Sequence, residues 1–477
     1  MIRVFNPYEH EPKSAADLQN IIDTMESFYQ TGATLSCDFR VQQLLRLRKY
    51  LAKHETEALE ALHADLGKSE FESYATELGL VFDELRTCIA YLRKWSRPKR
   101  VPTSLAHFPT SSYIYAYPFG VAAVLSPWNY PLQLSLIPLI DAIAAGNCVV
   151  LKPSQQSVHT SAFLMELCRQ VFDPHFVTCL KGSNEMNDWI LEVTFDKIMF
   201  TGSPGVGKKI MAHAAESLTS VTLELGGKNP LFITEDADIK RAGERVAWGK
   251  CLNSGQTCVA PDYALVHESV ADAFIAEMAN AIHRYYGEHP LESPDYPHMI
   301  NEKHYNMVCG LIDGCSPQAR IVCGGARSPE TLQIEPTIMT DVTLDDPLMK
   351  QEIFGPVLPI LVYKDLNDAI AITKSFGHPL GCYIFTRSER TAKYIMDKVP
   401  SGGVTINDVV IWASSTHLPF GGLQNSGIGS YHGKAGFDAF THYRSTMKKS
   451  NLIELPIRNP PFNATKLKLA KFFMPAK

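Results

Sequence analysis

Four short apolar runs, separated by stretches long enough for helices, constrain this chain more than any other feature. After Gly120 come Val121-Ala122-Ala123-Val124-Leu125, then Cys148-Val149-Val150-Leu151, Phe176-Val177-Thr178-Cys179-Leu180 and Lys197-Ile198-Met199-Phe200. Such runs suit strands buried on both faces. Alternating with helices, they imply βαβ units and a parallel sheet covered on both sides. Residues 120–225 are therefore predicted to form a doubly wound nucleotide-binding core. Residues 15–98 read as all-helical, because apolar positions recur at helical spacing in Val41-Leu44-Leu45-Leu47 and Tyr74-Leu78-Val81-Leu85. From Ser112 the aromatic run Tyr113-Ile114-Tyr115-Ala116-Tyr117-Pro118 is β-like. A fresh strand-like run, Asn229-Pro230-Leu231-Phe232-Ile233, opens a second α/β domain that contains Cys258 and Glu352.

At 477 residues the chain exceeds one ordinary hydrophobic core, so two or three domains with a cleft between them are expected. A net charge of −5 argues against a nucleic-acid partner bound through a basic face. Met1 to Lys13 lacks the pattern of a secretory leader, and no stretch supplies about 18 uninterrupted apolar residues. A soluble, cytoplasmic protein without an integral membrane segment is expected. Eleven cysteines include no CxxC pair, so neither a metal site nor a disulfide framework is suggested, and most read as small buried hydrophobes. The tail from Asn451 carries Pro456, Pro460 and Pro461 and then Lys466-Leu467-Lys468-Leu469-Ala470-Lys471-Phe472-Phe473-Met474. It is too short to span a bilayer. An end helix resting on the protein is the favoured reading, beside a weak peripheral membrane contact or a flap over a pocket.

Asn253-Ser254-Gly255-Gln256-Thr257-Cys258 is a small-residue turn ending in a thiol. A catalytic cysteine needs a helix N-terminus or nearby dipoles to favour its thiolate, and a glycine turn offers such a setting. By itself, one cysteine among eleven reads as structural. Likewise Glu224, between Leu223 and Leu225, reads either as a strand-end ion-pair residue or, if buried, as a base with a raised pKa. Gly202-Ser203-Pro204-Gly205-Val206-Gly207 has GxxxxG spacing after a strand and before a helix, which lets pyrophosphate approach a helix N-terminus. It departs from the GxGxxG fingerprint. Nor is it a Walker loop, since Lys209 stands where Ser or Thr should hold magnesium.

The cysteine segment resembles the active-site segment of the aldehyde dehydrogenase superfamily. The resemblance extends through Ser126-Pro127-Trp128-Asn129-Tyr130-Pro131, Leu151-Lys152-Pro153-Ser154, Phe200-Thr201-Gly202-Ser203, Leu223-Glu224-Leu225-Gly226-Gly227-Lys228 and Gln351-Glu352-Ile353-Phe354-Gly355-Pro356. Cys258-Val259-Ala260-Pro261-Asp262-Tyr263, Pro419-Phe420-Gly421-Gly422 and Tyr431-His432-Gly433-Lys434 are similar to the class 3 branch, which includes enzymes for fatty and aromatic aldehydes. The resemblance implies an α/β aldehyde dehydrogenase fold. A Rossmann-type cofactor domain would span 1–101 and 117–225, and a catalytic domain 226–405. A small β oligomerisation arm and closing segment would take 102–116 and 406–450, with a tail at 451–477.

It further implies that Cys258 attacks the aldehyde, that Asn129 and the Cys258 backbone N–H hold the thiohemiacetal oxyanion, and that hydride leaves for the nicotinamide. Glu224 would then activate water against the thioester. Ser126, Trp128, Gly182, Gly202, Ser203, Gly207 and Leu225 would contact the cofactor. Lys152 would touch the adenosine ribose, Glu352 the nicotinamide ribose, and Phe354 would pack near the nicotinamide end. Gln155 stands where many NAD-preferring relatives carry a glutamate, so NADP is expected to be tolerated beside NAD; Gln155 bonding the ribose as an amide is the alternative. The aromatic run 113–117 with residues 441–447 resembles the family's arm, so a homodimer is expected, and the tail is expected to gate the substrate entrance. A CoA-acylating enzyme, a retired structural protein and an esterase are the competing functions; intact Cys258, Glu224 and Asn129 disfavour the first two, and esterase chemistry reads as a side activity.

Overall fold

The computed structural model describes residues 11–475. Residues 1–10, on which most of the leader reading rests, and the last two residues of the tail lie outside the described residues. The apolar runs do form the centre of a parallel sheet. In order across that sheet lie Gly427–Ile428, Ser220–Leu225, Lys197–Gly202, Val121–Leu125, Cys148–Lys152 and Val177–Cys179. The last five are mutually parallel, and only the short Gly427–Ile428 edge runs antiparallel. The chain builds outward from Val121–Leu125 through Cys148–Lys152 and Val177–Cys179, then returns to add Lys197–Gly202 on the other side. That reversal is the switch point where open α/β sheets bind ligands, outside the carboxyl ends of the strands. The Ser126–Asn129 turn and the Gly202–Gly207 turn lie there, one on each side.

A second sheet of seven strands runs Arg320–Cys323, Thr337–Thr340, Val357–Tyr363, Tyr263–His267, Pro230–Ile233, Gly381–Phe385 and Gly403–Ile406. It is parallel except at the Arg320–Cys323 edge. The third sheet joins Lys99–Val101, Thr110–Pro118 and Thr441–Lys449, the last two paired antiparallel from Thr110↔Lys449 to Pro118↔Thr441. The aromatic run read as β thus finds its partner far along the chain, in the segment the resemblance had joined to it.

The N-terminal helices include Ala15–Gln30, Cys37–Lys53, Glu55–Leu66 and Gly79–Trp95. Ser14, Ser36 and Ser69 cap their own helix starts by accepting a backbone N–H from the first turn. Glu70–Ser73 continues into a π-helical stretch, Tyr74–Leu78, and this wide turn sets Glu72 and Glu77 inside the protein. Among the described residues no helix is long and apolar enough to cross a membrane. None of the eleven cysteines is in a disulfide, and six of them are buried. The tail does form a helix, Ala464–Phe473, but none of its residues is buried. As expected it rests on the protein, against Leu105–His107, and with Phe108 and Met447 it encloses an apolar cavity of about 640 Å³. Its alternating lysines keep it hydrated along much of its length.

Candidate active site

Cys258 ends a turn that the chain cannot make with ordinary backbone. Asn253 and Ser254 both hold φ of 51°, and Gly255 follows at 71°. A side chain on Gly255 would place its Cβ 2.2 Å from the Gly355 carbonyl oxygen, so glycine is required both by dihedral and by contact. That contact sets the cysteine turn against the Gln351–Pro356 loop. Gln256 tightens the turn further: its amide donates to the Asn253 and His298 carbonyls at 3.0 Å each and accepts from the Ile300 N–H at 3.0 Å. On the far side, the Asn229 amide donates to the carbonyls of Cys258 and Ala260 at 2.7 and 2.9 Å, and the Tyr383 hydroxyl donates to the Val259 carbonyl.

Asn129 reaches the same turn from the end of strand Val121–Leu125. Its side-chain amide donates to the Gln256 carbonyl at 3.0 Å, which uses one of two amide hydrogens. Its own carbonyl accepts from Asn253 at 2.8 Å and from the Lys68 ammonium at 3.1 Å. Lys68 is fully buried, paired with Glu77 at 2.6 Å and set 3.9 Å above the Tyr130 ring. Glu77 in turn accepts the Leu132 and Gln133 N–H groups at 2.9 and 3.1 Å. Glu72 accepts the Asn253 N–H at 2.7 Å; burial raises its carboxyl to about 7 against the opposing pull of Lys68. Sequence reading missed this support (Lys68, Glu72, Glu77, Asn253), because its members lie in the helical segment or the turn and meet only on folding.

Glu224 is the penultimate residue of strand Ser220–Leu225 and is 1% exposed. Its Oε1 has no hydrogen-bond partner, and burial holds its carboxyl well above the ordinary range, as its apolar neighbours suggested. The Cys258 thiol is raised well above its usual value by burial first, then by the nearby charges of Glu224 and Glu352, against the lowering pull of the Cys258 and Val259 N–H groups. The turn's dipoles are present, as such a setting would give, and burial and the two carboxylates outweigh them. Glu352 sits so close to Gly226 that a Cβ there would lie 2.1 Å from its Oε2; burial raises its carboxyl to about 8. Its loop is tied down by Lys228, which pairs with Asp262 and donates to the Leu348 and Gln351 carbonyls at 2.8 and 3.0 Å, while Asp262 accepts the Ile353 N–H at 2.9 Å.

The remaining residues spread along the switch point. Phe354, at φ 50°, packs edge-on against Trp128, centroids 5.4 Å apart, and Trp128 also meets His304 at 4.6 Å. Ser203 starts helix Pro204–Ser217 without capping it through its side chain, Gly202 ends the strand before it, and Gly207 is packed by Leu225. Pro204 has no N–H and the Gly207 N–H donates to the Ser203 carbonyl at 3.0 Å, so the Gly205 and Val206 N–H groups are the first-turn donors an anion would meet. The Ser126 hydroxyl is buried and unpartnered. Lys152, lowered to about 8 by burial, donates to Asn187 at 2.6 Å, and Gln155 donates to Asn184 at 2.8 Å. Gly182 packs against the Pro153–Gln155 turn.

The aldehyde dehydrogenase family model matches residues 2–446. The chain belongs to the aldehyde dehydrogenase family. It is an NAD(P)-dependent aldehyde dehydrogenase that oxidises aldehydes to carboxylic acids. It is 41% identical over 448 residues to a 4,4'-diaponeurosporen-aldehyde dehydrogenase of Staphylococcus aureus, covering 94% of this chain and 97% of that one. It is 40% identical over 440 residues to a rat (Rattus norvegicus) protein named aldehyde dehydrogenase, dimeric NADP-preferring, covering 92% and 96%. Family 3 members are among its other relatives at 38 to 39%. The solved structure of the substrate-bound state of Staphylococcus aureus AldH superposes with a TM-score of 0.93 at 40% identity, covering 96% of this chain and 99% of that one.

Proposed function

We propose that Cys258 is the nucleophile of this aldehyde dehydrogenase, Asn129 its oxyanion donor and Glu224 its general base. One observation carries the reading: three groups from separate elements converge on one turn, with Glu224 first among the charges acting on the Cys258 thiol and Asn129 bonded to Gln256 within the turn. In the forward direction the Cys258 sulfur adds to the aldehyde carbon, and the free Asn129 amide hydrogen and the Cys258 N–H stabilise the oxyanion as it develops. NAD(P), when bound, accepts hydride. Glu224 then takes a proton from the water that attacks the thioester, a role suited to a carboxyl whose burial lifts its pKa. An acylating enzyme that hands the thioester to CoA has no need of such a base.

The residues fit the cofactor. The uncapped helix start at Ser203 suits the pyrophosphate, Lys152 and Gln155 the adenosine ribose, and the unpartnered Glu352 Oε1 and Ser126 hydroxyl the nicotinamide half, with Trp128 and Phe354 packed beside it. Gly182, Gly202, Gly207 and Leu225 complete the floor. The neutral Gln155 makes NADP use compatible with NAD use. Medium- and long-chain aliphatic or aromatic aldehydes are the proposed substrates, in keeping with the family 3 relatives. The cofactor domain is taken as 1–101 and 117–225, the catalytic domain as 226–405, and 102–116 with 406–450 as a dimer arm and closing segment, as the name of the rat relative suggests. Eleven cysteines without a disulfide suit a reducing cytoplasm. The tail, with Leu467 and Phe472 exposed among its lysines, is suited to weak membrane contact or to gating.

Reduction of NAD and NADP with decanal and with benzaldehyde tests this reading, followed by the absorbance of the reduced cofactor beside a Cys258→Ala variant. Loss of turnover in the variant is expected; turnover surviving it would remove Cys258 from the mechanism.

A further inference from the structure

An oxyanion donor lowers a barrier only if it already points at the place where negative charge develops. Asn129 follows strand Val121–Leu125 of the six-stranded sheet, and Cys258 precedes strand Tyr263–His267 of the seven-stranded one. Contacts that cross between the two turns must therefore fix their spacing. The Asn129 side-chain amide donates to the Gln256 carbonyl at 3.0 Å, and the Asn253 amide donates both to the Asn129 carbonyl at 2.8 Å and to the Gln256 carbonyl at 3.1 Å. The hydroxyls of Tyr130 and Thr257 lie 2.7 Å apart, one residue from Asn129 and one from Cys258. All of these side chains are buried.

Against this seam stands one buried cation. Lys68, between helices Glu55–Leu66 and Glu70–Ser73, is 0% exposed. Its ammonium donates to the Asn129 carbonyl at 3.1 Å and stands 3.9 Å from the centre of the Tyr130 ring, so one side chain touches both residues on the Asn129 side. A charged donor holds a carbonyl more firmly than the neutral Asn253 amide does. Glu77 fixes Lys68 in turn: its Oε1 takes the ammonium at 2.6 Å, and its Oε2 takes the Leu132 and Gln133 N–H groups at 2.9 and 3.1 Å. The carboxylate thus ties Lys68 to the segment that directly follows Tyr130. Glu72, five residues earlier and about one π-helical turn away, accepts the Asn253 N–H at 2.7 Å. The helical stretch Glu70–Leu78 therefore presents one carboxylate to each side of the seam. Widened turns of this kind recur at functional sites.

We propose that Lys68, held by Glu77, is a positioning residue for the oxyanion site: it locks the Asn129 backbone so that the free hydrogen of the Asn129 amide stays aimed at the oxygen that becomes negative as Cys258 adds to the aldehyde. That role presupposes Asn129 as the oxyanion donor. Lys68 transfers no proton and acts on the reaction through Asn129 alone. Its effect on the first chemical step must therefore vanish once the Asn129 amide is removed.

The test follows first-turnover cofactor reduction by stopped flow, with the aldehyde (decanal or benzaldehyde) and the cofactor (NAD or NADP) that the parent turns over fastest. Two changes are compared, Lys68→Met with Glu77→Gln and Glu77→Gln alone, each made in the parent and in Asn129→Ala. Replacing the pair together leaves no buried charge uncompensated, and Glu77→Gln alone is the milder form that decides the question if the paired variant does not fold. The first-turnover rate is expected to fall about tenfold in the paired variant and about threefold in Glu77→Gln, less than the roughly hundredfold or more that outright loss of an oxyanion donor costs. Alkylation of Cys258 by iodoacetamide, read on its own peptide by mass spectrometry, needs the sulfur and no oxyanion, so it should stay within about twofold of the parent. In the Asn129→Ala background neither change should slow reduction further. Parent rates in the folded variants, an equal fall in alkylation, or an additional loss on top of Asn129→Ala would each overturn the positioning role. Parent-rate reduction by Asn129→Ala would instead show that the oxyanion donor is another group.

Discussion

The Cys258 thiol and the Glu224, Glu352 and Glu72 carboxyls all have pKa values shifted upward, and in each case burial is the largest cause. For Glu224 the kinetic consequence has a definite sign. A raised carboxyl is neutral at low pH and becomes a competent base only as pH climbs, so acyl-enzyme hydrolysis should accelerate from neutral pH upward, and Glu224→Gln should flatten that rise; rapid-quench decay rates across the pH range measure it. Glu72 carries a stability consequence instead. Its folded value of about 7 lies above the 4.5 of the free side chain, so its contribution is present below the lower value and is lost as pH rises through the upper one. The gap corresponds to a ceiling of roughly 3 kcal/mol. Glu72→Gln keeps an acceptor for the Asn253 N–H, so its melting temperature should match the parent in mild acid and exceed it at pH 8.

At the level of elements, the cofactor-side sheet sets chemistry through the turns at the carboxyl ends of its strands. The turn after Cys148–Lys152 carries Gln155, half of a pair with Asn184. A carboxylate there would accept ribose hydroxyls and repel a 2′-phosphate, so Gln155→Glu should lower the ratio of kcat/KM for NADP over NAD by about tenfold, the effect of roughly 1.4 kcal/mol of added repulsion. Unchanged preference would place the adenosine ribose elsewhere. The strand Ser220–Leu225 works differently: its edge partner, Gly427–Ile428, is too short to read as a strand from sequence and is recruited by pairing alone. Gly427 on that edge pairs with Glu224 itself, whose side chain is buried and whose carboxyl pKa is raised by that burial.

For the whole molecule, the tail and the arm are the parts least bound to the core. The helix Ala464–Phe473 buries no residue, and the family match ends before it, at residue 446. A chain ending at Ser450 should therefore melt within a degree or two of the parent, as expected where little apolar area is lost. If the tail gates the substrate path, the same truncation should shift the ratio of rates on decanal and benzaldehyde; an unchanged ratio would remove the gating role. The strands Thr110–Pro118 and Thr441–Lys449 leave Tyr443 and Met447 exposed; light scattering of the purified protein tests the proposed dimer, and a monomer would remove the arm's role.

The amino-acid sequence by itself determined the parallel core, because runs such as Val121–Leu125 are apolar on both faces and have one stable environment, between layers of helix. Its motifs also carried the family and the proposal of Cys258, Glu224 and Asn129 as the site, since local turns with special backbone, such as Asn253–Gly255, leave a readable composition. Tertiary structure alone decided what surrounds those groups. Lys68, Glu72 and Glu77 look like ordinary surface charges along their helices and turns, and nothing local marks them. They acquire meaning only when packing strips away water, because the energy of a charge depends on the distant groups that fold around it.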